Sequence, residues 1–400
     1  MIFSPVCRAI LCAQLHIGLG RDGALRRPRR VQRRNFTCGL DISSARLMRA
    51  GTPRHGVPAK LRTVSSCIPC LLAGVFLPGW LFAQQPFQLP TANHFLFEPG
   101  KELEFFAPTA PDKPWTSGGF GCVRDNGRRI HEGLDIRCLQ RDKRGEPTDP
   151  VMATADGTVI YFNTRPSLSN FGNYIVLRHV IDGIEIYSLY GHLRQVRPGL
   201  QIGQAVKAGE VIGTMGRTAN TAGRIAQWRA HVHYQLNLLV NDRFAGWFKG
   251  AFPRERNDHG EWNGQNLDAL DARQILLDEH AQGTNFNLLN FIRGQTELCR
   301  VVVRATNFPF LKRYPMLVVP NPTAEKEGAA GYEIALNFNA TPFQLMPLAA
   351  SEIKSLEKFQ LLSVNASEAL ANPCRHLVVQ RRGHWELTEN GRRELELLTY

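Results

Sequence analysis

The chain lacks charge over residues 63–97, where no Asp, Glu, Lys or Arg occurs. It also lacks acid at the start: residues 1–62 hold Asp22 and Asp41 against 13 Lys and Arg. Nearly all of the formal +13 therefore sits in that first segment, and the rest of the chain is close to neutral. A neutral body excludes the basic footprint of a nucleic-acid-binding protein. No C-x-x-C follows residue 83, which excludes a thiolate zinc cluster there. No internal repeat and no low-complexity tract is found. What is present is ample apolar content, 43%, enough for a packed core.

The uncharged run TVSSCIPCLLAGVFLPGWLFAQQ follows Lys60 and Arg62 and reaches the small residue Ala83. Basic, apolar and small residues in that order read as a secretory signal peptide. Pro69 and Pro78 interrupt the run, and a spanning helix wants about 20 mostly apolar residues; an uncleaved membrane anchor is the alternative. Met48 stands just before the basic part. Translation is expected to start at or near Met48, with an Arg-rich transit peptide as the other reading. The expected address is outside the cytoplasm, in the periplasm or cell envelope. Beyond the leader four cysteines remain, Cys122, Cys138, Cys299 and Cys374. An oxidising compartment would allow two disulfides among them. Nearest-neighbour pairing gives Cys122–Cys138 and Cys299–Cys374, one of three connectivities.

The chain divides into a leader 1–83, an irregular segment 84–116, a β-rich domain 117–262, a helical connector 263–298 and a β-rich C-terminal domain 299–400 of unknown role. The runs VMATADGTVIYF, NYIVLRHV and GIEIYSLYGHL are short, β-branched and aromatic, and Gly punctuates them. Asp156-Gly157 and Asp182-Gly183 are hairpin signals. The fold class is thus mainly β, with antiparallel sheets. In NLDALDARQILLDEH, Leu267, Leu270 and Ile275–Leu277 have helix-like spacing.

The chemistry begins with RAHVHYQL. Alternation along a strand puts His231, His233 and Gln235 on one face, and Val232, Tyr234 and Leu236 on the other. Two imidazoles side by side suggest a metal, although two hydrogen-bonded surface histidines share the pattern. HEGLD adds His131 and Asp135, four residues apart, with Gly133 between them adding no bulk. Alone these fit a surface pair equally well. YGHL adds His192, which alone reads as a turn residue. His179, in LRHV, has no motif around it and reads as structural or surface. A catalytic zinc takes three protein ligands and keeps one position open. Two His and one Asp as ligands, with two His left over for proton transfer and orientation, meet that requirement.

The series GFGCVRDNGRRIHEGLD, VMATADGTVI, FGNYIVLRH, LYGHL, GQAVKAGEVIGTMG and HVHYQ resembles the lysostaphin-like zinc metallopeptidases that cut peptidoglycan. The resemblance covers about residues 117–240. It implies Zn2+ held by His131, Asp135 and His233, His231 as general base and His192 orienting water or the oxyanion. It implies peptidoglycan stem peptides and cross-bridges as the partner; the neutral body argues against nucleic acid, and a membrane is involved only if the signal stays uncleaved. A peptidoglycan-binding or hydrolase-activating member without catalysis is the alternative. Two insertions depart from the family, LQRDKRGEPTD at 139–149 and TANTAGRIAQWRA at 218–230. Where some relatives carry Tyr before the first ligand, this chain has Asp125, with Arg124 beside it as a substrate-contacting replacement.

Overall fold

The computed structural model describes residues 86–221 and 225–400. The leader expected at 1–83, with its signal segment and Met48, lies outside the described residues. All described residues fall within one compact unit. None of their helices is long and apolar enough to cross a membrane.

The main sheet has the strand order Leu267–Leu270, His231–Leu239, Ile184–Leu193, Asn173–Ile181, Gly157–Asn163, Ala205–Val206. Every neighbouring pair is antiparallel. Leu134–Arg137 pairs with the first half of His231–Leu239, whose second half pairs with Leu267–Leu270. A three-stranded sheet of Pro150–Met152, Val211–Thr214 and Gln195–Val196 and a ribbon of Gly121–Arg124 with Arg129–His131 flank it. A second, four-stranded antiparallel sheet follows, in the order Pro342–Leu348, Gly331–Leu336, Cys299–Val303, Phe359–Val364. The mainly β, antiparallel reading is the observed class.

His231–Leu239 is buried at all nine positions, so both of its faces are covered. Val232, Tyr234, Leu236 and Leu238 enter the large core. That core also contains Ile275 and Leu276 of the helix Ala272–Gln282 and Val301, Val303 and Leu345 of the second sheet. Full burial of each such side chain contributes roughly 1.5–3 kcal/mol, so the two sheets stabilise one another through a shared interior. The opposite face carries His231, His233, Gln235 and Asn237, all 5% exposed or less.

Three local expectations are corrected. Leu267 and Leu270 lie in a strand, not a helix, because that run adds an edge to the main sheet; the helix starts at Ala272, after an Asp271 cap that accepts from the Gln274 amide. Asp182-Gly183 does close a hairpin, between Asn173–Ile181 and Ile184–Leu193. Asp156-Gly157 does not, since the strands on either side of it pair in different sheets. Gly157 is required there for another reason: a Cβ would lie 2.5 Å from His179 Nδ1. The cysteines pair as Cys122–Cys374, which replaces nearest-neighbour pairing. Cys138 and Cys299 stay free and buried, each packed into the core where no second thiol reaches it.

Candidate metal centre

His131 ends the ribbon strand Arg129–His131, and Asp135 lies in Leu134–Arg137. Glu132-Gly133 steps the chain from one sheet to the other. Only glycine fits at 133, because a Cβ would stand 2.5 Å from the Tyr234 carbonyl and 2.8 Å from the His233 ring. Antiparallel register then sets Asp135 directly opposite His233. Gly191, one residue before His192, is opposite His233 on its other side. Ladder hydrogen bonds therefore bring His131, Asp135, His192, His231 and His233 to one patch.

The tautomers follow from the partners. His131 Nδ1 donates to the Gly119 carbonyl at 2.6 Å, which leaves Nε2 as a lone pair. That Nε2 is 3.1 Å from Asp135 Oδ1 and 3.1 Å from His233 Nδ1. His233 Nδ1 is 3.0 Å from the same carboxylate oxygen. The Gln235 amide lies 2.9 Å from His233 Nε2, and its Oε1 has no partner. Turning that amide over gives Oε1 a donor in His233 Nε2–H and leaves Nδ1 unprotonated. Three acceptors then face one another, their ligating atoms all within 4.8 Å. Buried acceptors without a donor between them are costly, and a cation among them removes the cost. Two imidazoles and a carboxylate are a zinc donor set. The residues fit that ion.

The other two histidines border this point. His231 Nδ1 donates to the Arg229 carbonyl at 2.6 Å. Its Nε2 is buried without a hydrogen-bond partner, 3.3 Å from Asp135 Oδ1. His192 Nδ1 donates to the Thr218 carbonyl at 2.8 Å, and its ring stands edge-on to His231 at 4.8 Å. His192 has φ +61, a left-handed conformation that is costly for a residue with a side chain. Burial pushes the pKa of His192, His231 and His233 down, which favours neutral rings. Burial pushes Asp135 up, but the positive charge facing it, the Arg124 guanidinium included, outweighs that and holds the carboxyl well below the usual range. His179 stands apart, bonded to the Asp156 carbonyl and Ser188 Oγ.

Arg124 borders the cleft, and its guanidinium is 2.6 Å from Asp135 Oδ2, with the side chain 10% exposed. Arg229 reaches the same oxygen. Asp125 is turned outward and pairs with Arg129 at 2.9 Å. Sequence reasoning missed Arg229, the Gly119 carbonyl and Phe171, which stacks on the His233 ring at 5.3 Å. Gln235 was legible, since alternation had already put it on the histidine face.

The centre opens into a cleft of about 810 Å3, bordered by Phe171, Asn220, Gln265 and Arg375. The described parts of the two insertions, with Arg217 just before the second, are tied together. Glu146 holds Arg217 through two hydrogen bonds of 2.7 and 2.9 Å. Arg141 donates to the Gln227 carbonyl at 2.8 Å, and Gln227 Nε2 donates to the Arg144 carbonyl at 2.8 Å.

Residues 129–243 match the model of peptidase family M23. A DD-carboxypeptidase/endopeptidase, Mpg, of Neisseria meningitidis serogroup B is 34% identical over 110 residues, 28% of this chain and 20% of that protein. The murein hydrolase activator NlpD of Salmonella typhimurium is 34% identical over 120 residues, 29% of this chain and 28% of that protein. Lipoprotein NlpD of Yersinia enterocolitica is 33% identical over 84 residues, 21% of this chain and 79% of that sequence. The match thus spans about a fifth of the length of Mpg.

Proposed function

Since the chain belongs to peptidase family M23, we propose that it is an exported zinc endopeptidase that hydrolyses peptide cross-links of bacterial peptidoglycan. The observation that carries this reading is the convergence of His131 Nε2, Asp135 Oδ1 and His233 Nδ1, all acceptors, on one buried point at the base of a cleft. These three residues would hold zinc, which supplies Lewis acidity for water activation and carbonyl polarisation. His231 is the general base. Its Nδ1–H is fixed on the Arg229 carbonyl, so Nε2 keeps its lone pair for the proton of an attacking water and then passes that proton to the leaving amine. His192, held by the Thr218 carbonyl, orients the water or the developing oxyanion with its other nitrogen. The disulfide Cys122–Cys374 supports an oxidising address outside the cytoplasm. In a periplasm the cross-link would be D-alanyl–diaminopimelate.

The test is digestion of defined cross-linked peptides with product masses read out. Wild type is expected to release the cleaved stem peptides, chelator to stop it, and His233→Ala to lose both zinc and cleavage. Full cleavage by His233→Ala overturns the reading. The similarity to an activator keeps a second reading: the same site binds peptidoglycan and stimulates a partner hydrolase. Stimulation of a purified hydrolase, with no product from this chain alone, would favour it.

A further inference from the structure

Asp135 is the only one of the three proposed metal-holding residues whose second donor atom is bound by charge. Oδ1 faces His131, His231 and His233 at 3.1, 3.3 and 3.0 Å. Oδ2 accepts from Arg124 Nη2 at 2.6 Å and from Arg229 Nη2. The carboxylate is 1% exposed, and the two arginine side chains are 10% and 15% exposed. These are buried, charge-assisted contacts rather than a solvated pair, and they outrank surface ion pairs in strength.

The two arginines come from different places. Arg124 ends the strand Gly121–Arg124, which also carries the disulfide cysteine Cys122. Arg229 belongs to the second insertion. Its Nε donates to the Pro108 carbonyl at 2.8 Å. Its neighbours Gln227 and Trp228 are held through their carbonyls by Arg141 of the first insertion, at 2.8 and 3.3 Å. The first insertion thus ties down the turn that delivers Arg229, and the Arg229 carbonyl in turn accepts a hydrogen bond from His231 Nδ1–H.

We propose that Arg124 and Arg229 are positioning residues that commit Asp135 Oδ2 and present a single carboxylate oxygen to the metal, and that the paired insertions exist in part to deliver Arg229. A carboxylate free to offer both oxygens could take up the position that water needs; one with Oδ2 engaged offers one donor and keeps the site open. The two guanidiniums also repel a cation, so orientation and repulsion oppose each other. The proposal is that orientation wins. It rests on the zinc reading above.

The experiment is chelator competition for zinc on the full chain, with the visible spectrum of the cobalt(II)-loaded protein as a second readout. Arg124→Ala and Arg229→Ala are each expected to weaken zinc by roughly 10–100-fold, the usual cost of losing an outer partner. The cobalt bands should weaken as coordination rises. Arg229→Lys should recover part of the affinity. Arg141→Ala, which leaves Asp135 untouched, should weaken zinc several-fold by loosening the turn, and it serves if Arg229→Ala fails to fold. Alanine variants that bind zinc as tightly as wild type, or tighter, with an unchanged cobalt spectrum, overturn the proposal while leaving the zinc reading intact. Failure of wild type to bind zinc overturns both.

Discussion

His231–Leu239 and Cys299–Val303 are both central strands of antiparallel sheets, and both send one apolar face into the same core. Their other faces differ. In the first, His231, His233, Gln235 and Asn237 are buried side by side. In the second, Arg300 is half-buried and meets Glu333 at 2.8 Å and Glu297 at 2.9 Å, where solvent still reaches all three. Among the described residues, the first strand supplies part of the one three-residue His/Asp group able to hold a metal. Charge that a sheet leaves near water is settled by a neighbouring ion pair of little consequence. Polar groups that a sheet buries must find convergent partners, and a functional site results where those partners are donors for a cation.

That contrast can be sharpened by substitution on each strand. The largest effect is expected from His231→Ala: turnover falls about 10²–10⁴-fold, as for loss of a general base, while zinc content stays at the wild-type level. Metal analysis beside peptide cleavage checks it, and equal loss of metal with His233→Ala would show that the two histidines are not divided in role. Next comes Leu345→Ala in the second sheet, whose side chain is fully buried. It should cost about 2–5 kcal/mol of stability in denaturant titration and leave zinc affinity alone. The smallest is Arg300→Ala, expected to cost no more than about 1 kcal/mol because solvent and salt screen the pairs it removes. A larger loss there would mean that the outer face of the second sheet is not the solvated surface described here.

The alternation that makes His231, His233 and Gln235 share a face is a property of a strand alone, so it could be read before any neighbour was known. The spacing of His131 and Asp135 was equally plain in the sequence, but their meeting depends on the step from one sheet to the other at Glu132-Gly133, where a Cβ on Gly133 would strike the Tyr234 carbonyl. The partners of Asp135 could not be read in this way. Arg229 is 94 residues away, and nothing in QWRAH marks its side chain as inward. Cys122 meets Cys374 across 252 residues, where spacing is uninformative. Leu267 and Leu270 were legible as apolar but not as a strand: a short apolar run fits either element, and only the free edge beside Leu236–Leu239 decides it.

The Cys122–Cys374 bond makes a closed ring that runs from the first ribbon strand to Cys374 and leaves outside it the hairpin Val378–Arg381 with His384–Leu387 and the last helix, Glu389–Thr399. Both sheets lie on that ring. A cut at any single peptide bond inside it opens the loop without dividing the protein, and every histidine of the centre stays tethered to the rest. Only a second cut, or reduction of that one bond, separates the pieces.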